Sequence, residues 1–271
     1  MPFLPAKRLR CLAISGKLLT KCGFGIDICQ FKTGLVGANN FNMRRSEHSI
    51  IRRLPLFRGM TKGNFDLLVK DSILQRFPGR TNLIFEGDKP DFLHVVVEGI
   101  VELFANHNGK EATLDIVHPV TTFILAAVVR DEVYLKSART LVPSRILMLP
   151  ASTVRDVFSR DAIFARAVVG ELALRYRAIV RTLKNDRLRS GAERLLNWIL
   201  QAERGQGGRG QIRIPYDKRT LASQLGMTAE NFSRNLASFA KYGVTTHARE
   251  ILVTNRKVLR KLAKPRPLLD T

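Results

Sequence analysis

The segment Arg219-Thr-Leu-Ala-Ser-Gln-Leu-Gly-Met-Thr-Ala-Glu-Asn-Phe-Ser-Arg-Asn-Leu-Ala-Ser-Phe239 gathers side chains that can recognise the edges of bases. A carboxylate such as Glu230 accepts from the cytosine amino group, an amide such as Asn231 pairs with adenine, and a guanidinium such as Arg234 forks onto guanine O6 and N7. Ser233 is small enough to sit beside a thymine methyl. Thr228 precedes this group and Arg219 adds a cation nine residues upstream of it. Such side chains read bases only when a helix carries them into the major groove with its other face packed. The spacing supplies that helix. Phe232, Leu236 and Phe239 recur on one side of one turn after another, and Leu221, Ala222 and Leu225 do the same ahead of Gly226. Two short amphipathic helices broken at a glycine form a helix-turn-helix. The competing reading is a helical hairpin within a core, its charges merely solvated.

The charge balance separates the two. The chain has 271 residues and a net charge of +22. In residues 187–271, 17 Lys and Arg face 6 Asp and Glu; in residues 50–186, 20 face 15; in residues 1–49, 8 face 2. The excess is heaviest at the two ends, and the C-terminal end also holds the helix-turn-helix. That is the electrostatic footprint of a duplex binder, although anionic membranes and RNA attract basic charge as well.

Only three cysteines occur, Cys11, Cys22 and Cys29, so no disulfide framework is expected. No apolar run approaches the ~20 residues of a membrane span, and Leu12-Ala-Ile14 is too short for the apolar region of a signal peptide. A cytoplasmic protein with no membrane partner is expected.

The elements that must position the base-reading face follow from periodicity. Residues 1–45 form a poorly patterned, glycine-interrupted extension, and Met43 is a candidate for the real start of the protein. Residues 46–150 form one unit. In it, residues 49–76 read as helix broken at Pro55 and Gly59, with Thr61 as a cap for the second piece. From residue 79 the period shortens. Thr81–Phe85, Phe92–Val97, Ile100–Phe104, Thr113–Val117, Thr122–Ile124 and Arg145–Leu149 read as strands, with His107-Asn-Gly109 as a hairpin turn. Many short strands imply a barrel, roll or sandwich.

Residues 151–188 return to helical period. Val168, Leu172, Tyr176, Ile179 and Leu183 make a narrow apolar seam suited to pairing two copies of the chain; the alternative is a helix lying on its own β unit. Residues 189–263 complete the chain's base-reading unit. Ser190 and Glu193 have capping-box spacing, Gln211–Ile214 reads as a strand, the segments flanking His247-Ala-Arg249 read as a wing, and Asn255 caps a last helix. Residues 264–271 are a tail.

A β-roll, a long helix and a winged helix-turn-helix, in that order, resemble the catabolite activator / fumarate-nitrate regulator (Crp/Fnr) family of bacterial transcription factors. The likeness covers residues 50–263. It is carried by Leu83-Ile-Phe-Glu-Gly-Asp88, Val97-Glu-Gly-Ile-Val-Glu-Leu103 and Asn108-Gly-Lys-Glu111 in the roll, and by Leu225-Gly-Met-Thr-Ala-Glu-Asn-Phe-Ser-Arg234. It implies an α+β fold with a cyclic-nucleotide-binding-like β-roll, a dimerisation helix and a C-terminal winged helix-turn-helix. It also implies a homodimer on an inverted repeat, and RNA polymerase as a further partner if the protein activates. Thr228, Glu230, Ser233 and Arg234 occupy the family's recognition-helix pattern. Their Glu-x-x-Ser-Arg form resembles that of the fumarate-nitrate branch, which implies TTGA-type half-sites, while Thr122-Phe-Ile-Leu-Ala-Ala127 and Leu141-Val-Pro-Ser-Arg-Ile146 resemble the nitric-oxide-responsive branch.

The resemblance weakens at the effector. Where the cyclic-nucleotide branch has Gly and Glu, this chain has Leu125 and Ala126, Lys136-Ser137 is out of register with the family's Arg-Ser pair, and Val120 stands where the family often has glycine. A cyclic nucleotide is therefore not expected. An iron–sulfur cluster needs four thiolates, and three widely spaced cysteines do not supply them. A haem is left open, with His94 and His118 in the strands and His107 at a hairpin tip as the histidines available, and so is the absence of any effector. A non-specific basic nucleic-acid binder and a gas-sensing member of the same family are the alternatives for function. A cupin-type enzyme is disfavoured because His94 and His118 lack the His-x-His and carboxylate spacing of such metal sites.

Overall fold

A computed structural model describes residues 45–270, with side chains from His48 onward. The expectations attached to Met43 and to the three cysteines lie outside the described residues. Two helices come first, α1 (Arg45–Arg52) and α2 (Lys62–Lys70). Thr61 caps α2 as expected, its hydroxyl accepting from the Asn64 amide at 3.4 Å. The helical reading of 49–76 runs too far: Ile73 and Leu74 lie in strand β1 (Ile73–Phe77), where each pairs across to a residue of 144–150. An apolar pair after one polar turn fits either period, and a cross-strand partner settled it in favour of the strand.

Strands β1, β2 (Asn82–Ile84), β3 (Phe92–Glu98), β4 (Val101–His107), β5 (Lys110–Val117), β6 (Thr121–Phe123), β7 (Ser137–Thr140) and β8 (Ser144–Pro150) form two four-stranded antiparallel sheets. Their orders are β1-β8-β3-β6 and β2-β7-β4-β5. Both sheets contribute to one core that includes Leu93, Val95, Ile146, Val101, Leu103 and Ala138. This is the expected roll. The β4–β5 hairpin turns at Asn108 (φ 51°) and Gly109 (φ 77°), with His107 paired to Lys110. Two consecutive positive φ values make the turn that matches strand twist.

Two elements escaped the sequence. Strand β7, Ser-Ala-Arg-Thr, has no apolar alternation to announce it. Helix α3 (Leu125–Arg130) follows a strand expected to end at Ile124; Ile124 instead turns to φ 59°, so β6 ends at Phe123 and the helix begins. Val120, four residues earlier, also sits at φ 70°. A β-branched residue pays roughly 1–2 kcal/mol there, and Val120 is half exposed, so it loses little burial on truncation. Val120→Gly should therefore raise stability by up to ~1 kcal/mol after the glycine's extra chain entropy, read as the shift of the urea midpoint; a destabilised variant would contradict the assignment.

The helical region 151–188 divides at Asp161 into α4 (Ala151–Arg160) and the 27-residue α5 (Ala162–Leu188). The Asp161 carboxylate accepts from the amides of Ile163 and Phe164, both at 2.9 Å, and from the Asn64 side chain at 2.9 Å. The Phe164 amide, then Asn64, hold it below the usual carboxylate range. A depressed folded-state pKa contributes stability that is complete above about pH 4 and is lost as pH falls through the folded value. Asp161→Asn keeps a capping group but cannot titrate, so the loss of stability between pH 7 and pH 3 should shrink. Asp161→Ala should cost ~1 kcal/mol at pH 7. Urea unfolding at the two pH values reads both.

α6 (Gly191–Gly205) opens on the full capping box, Ser190 with Glu193. Strand β9 (Gln211–Arg213) pairs with β11 (Glu250–Val253), which pairs with β10 (Val244–His247). Between them run α7 (Lys218–Gln224), α8 (Ala229–Ser238) and a 3₁₀ turn at Ala240–Tyr242. Asn255 caps α9 (Arg256–Ala263), accepting from the Val258 amide at 3.2 Å. The segment read as a tail is not loose. Pro267–Asp270 forms a helical turn, α10, whose Asp270 carboxylate grips Arg189 at 2.5 and 2.6 Å. A second core joins α6, the helix-turn-helix and the wing, and it includes Ile100 and Ile116 from the roll.

Candidate nucleic-acid interface

α7 is started by Asp217, whose carboxylate accepts from the Thr220 amide at 2.7 Å. It ends at Gly226, whose φ of 63° lets the chain turn back so that the Met227 amide reaches the Ala222 carbonyl at 3.0 Å. Thr228 then caps α8, its hydroxyl accepting from the Asn231 amide at 3.2 Å. Thus Thr228 is committed to starting the helix. Phe232 and Leu236 are buried, with Phe239 just beyond. That burial fixes the rotation of α8 and turns Glu230, Asn231, Ser233 and Arg234 to the exposed side.

The exposed edge is internally ordered. Arg234 donates to the Asn231 side-chain oxygen at 2.7 Å and lies 3.6 Å from the Glu230 carboxylate, with the Arg234 and Glu230 side chains 69% and 78% exposed. At that exposure the ion pair adds little to stability; its effect is to hold the guanidinium beside the carboxylate. Ser233 donates to the Ala229 carbonyl at 2.9 Å, so its hydroxyl is turned into the helix. The structure brings Thr228, Glu230, Asn231, Ser233 and Arg234 together on α8 and its cap. Arg219 stands apart in the first turn of α7, exposed. The wing turns at Ala248 (φ 48°) and presents exposed His247 and Arg249.

The seam residues divide. Val168 is fully buried in the chain's own roll-and-helix core, and Leu172 packs against that core. Val168 is therefore held by the chain's own packing and is not open to a second copy. Tyr176, Ile179 and Leu183 are 69%, 63% and 54% exposed. Leu174 and Val180 add to the uncovered apolar surface of the same helix.

In the roll, Leu125 is buried at the start of α3 and Ala126 is exposed, so neither offers a polar group to a ribose. The Ser137 hydroxyl accepts from the Glu86 amide at 3.0 Å. Burial lowers the pKa of Lys136, with Asp115 opposing and Arg175 reinforcing the shift. Arg175, from α5, donates to the Thr122 carbonyl at 3.0 Å and to Asp115 at 3.2 Å. His94 is buried and stacked on Phe123, with ring centroids 5.1 Å apart. Burial drives its pKa down to about 4 against a smaller pull from the Phe92 backbone, so the imidazole is neutral. It borders a cleft of about 390 Å³ with Tyr134 and Met148. Desolvation also lowers His118, with Asp115 opposing, and His107 is exposed at its hairpin. Among the described residues no three His, Cys, Asp or Glu are grouped to hold a metal ion, and no helix is long and apolar enough to cross a membrane.

Sequence reading missed Arg194. Its guanidinium donates to the carbonyls of Leu225 at 2.8 Å, Gly226 at 3.1 Å and Arg189 at 2.8 Å. No local pattern signals a contact to residues so far along the chain.

Comparison with known proteins agrees with this layout. Residues 74–161 match the family model described as a cyclic nucleotide-binding domain, and residues 193–262 match the Crp-like helix-turn-helix domain. The chain is 22% identical over 221 residues to the CRP-like cAMP-activated global transcriptional regulator of Mycobacterium tuberculosis, a match covering 79% of this chain and 99% of that protein. The cyclic AMP receptor protein of Thermus thermophilus is 27% identical over 192 residues, covering 70% of this chain and 87% of that protein. Among solved structures, FixK2 from Bradyrhizobium japonicum superposes with a TM-score of 0.63 at 18% identity, covering 70% of this chain and 96% of that one. That last likeness is one of fold.

Proposed function

We propose, for a chain that belongs to the Crp/Fnr family of DNA-binding transcription regulators, that it acts as a homodimer on an inverted repeat of TTGA-type half-sites. The observation that carries this reading is the edge on α8. Burial of Phe232 and Leu236 leaves Glu230, Asn231 and Arg234 exposed together, with the guanidinium held against the amide and the carboxylate. A purely electrostatic binder gains nothing from a carboxylate on its contact face, because Glu230 would repel phosphate; a base reader uses it to accept from cytosine. Two copies paired through Tyr176, Ile179 and Leu183 would present two such edges about one helical turn apart.

For the effector, the residues of the roll fit a cyclic nucleotide poorly. Leu125 and Ala126 supply no carboxylate for ribose hydroxyls, and the Ser137 hydroxyl already accepts from the Glu86 amide. Two readings are left for this region: a haem, for which the His94 imidazole would supply the iron-binding nitrogen, and control by expression level with no effector. The absorbance spectrum of anaerobically purified protein with added haem separates the two. If the regulator activates, RNA polymerase is a further partner.

The DNA reading is tested by comparing affinity for an inverted TTGA repeat with affinity for random duplex at physiological salt. The repeat should be preferred by ~10³-fold or more. Equal affinities would identify a non-specific basic binder instead.

A further inference from the structure

The long helix and the base-reading unit meet across a very short joint. α5 ends at Leu188 and α6 begins at Gly191, leaving Arg189 and Ser190 between them. The two-residue joint leaves the swivel of α6 and the helix-turn-helix about α5 to side-chain contacts, among them the packing of Ile100 and Ile116 from the roll. The orientation of α8 relative to the seam sets where two recognition edges fall on a duplex.

Arg194 spans this joint. On one side it holds the turn between α7 and α8, through the Leu225 carbonyl at 2.8 Å and the Gly226 carbonyl at 3.1 Å. On the other it holds the end of α5, through the Arg189 carbonyl at 2.8 Å, with the Asp186 carboxylate at 3.7 Å. The side chain is only 14% exposed. Gly226 is required by its φ of 63° rather than by space, since a Cβ there would meet the Asp186 carboxylate and the Arg194 guanidinium only at ordinary contact distance. The planar fork matters, because three nitrogens are used in three directions, which a lysine ammonium on a flexible stem does not reproduce.

We propose that Arg194 is the positioning residue that ties the helix-turn-helix turn to the end of the long helix, so that the pairing geometry of the seam is transmitted to the spacing of the two recognition edges. This rests on the operator reading above. Arg194 touches no base; its effect is on where the edges are held.

The test uses the full chain and two variants, Arg194→Lys and Arg194→Gln, with two readouts. The first is affinity for a series of inverted repeats whose half-site separation changes by one base pair at a time. Wild type should prefer its best spacing by ~10-fold or more over spacings two base pairs away, and the variants should fall within ~3-fold across the series while still preferring the TTGA half-site over a scrambled one. The second is the distance distribution between spin labels at Thr182→Cys on α5 and Ala237→Cys on α8. It is measured with Cys11, Cys22 and Cys29 replaced by serine and with labelled chains diluted by unlabelled ones. One narrow distance should broaden in both variants. An unchanged spacing curve or an unchanged distribution overturns the proposal. So does loss of half-site preference together with spacing preference, since that would mean Arg194 only holds the fold. If wild type shows no operator preference, the operator reading fails, and the label distances still decide whether Arg194 fixes the joint.

Discussion

Arg234→Ala is expected to weaken binding to the inverted repeat by roughly 30- to 10⁴-fold, because a dimer loses two base contacts worth ~1–3 kcal/mol each. Binding to random duplex should fall far less, since the loss of one cation per subunit affects only the phosphate term. The side chain is 69% exposed and bonds only to its own helix, so folding stability should hardly change. Glu230→Ala provides the complementary result. Removing a carboxylate from the contact face should reduce preference for the operator yet raise affinity for random duplex, because a repulsion from phosphate is removed. Parallel losses on both duplexes for both variants would mean the edge contributes charge alone. Fluorescence anisotropy with the two duplexes at fixed salt reads all four quantities.

Ile179→Lys carries the second large effect. Ile179 is 63% exposed within one chain, so the substitution leaves the isolated chain's core intact and the chain folded, its melting temperature lowered only by what dimerisation contributes. A paired seam, by contrast, would have to bury two ammonium groups facing each other. Dimer should disappear in sedimentation, and operator affinity should fall by ~10² or more once the second half-site is no longer held at high local concentration. Val168→Lys serves as the contrast. Val168 is buried in the chain's own core, so that variant should unfold the protein instead of merely separating two copies.

How much of this was legible in the sequence follows from range of interaction. Caps and short turns are decided by neighbours, and Thr61, Ser190, Asn255 and the Asn108-Gly109 turn could be read from the sequence. The helix-turn-helix could be read for the same reason: its apolar spacing and its glycine lie within one short segment. The misread elements depend on partners far along the chain. Ile73 and Leu74 are strand because β8 lies beside them, and β7 exists because β2 and β4 flank a segment with no pattern of its own. Ile124 ends a strand by adopting a backbone angle that no β-branched residue advertises. At the interface, residue types told which side chains could read bases. They did not tell that Val168 is taken up internally, that Asp270 grips Arg189, or that Arg194 reaches the turn before α8.

The central claim is that two copies, joined along α5, each lay the Glu230–Arg234 edge on the same base sequence. Selection of bound duplexes from a randomised library, followed by sequencing, tests it most directly. The account predicts a two-fold symmetric motif, two TTGA-type half-sites inverted about one helical turn apart, that loses information at the same base pair in each half when Arg234 is replaced by alanine. A single unpaired half-site, or no enriched motif at all, would contradict it.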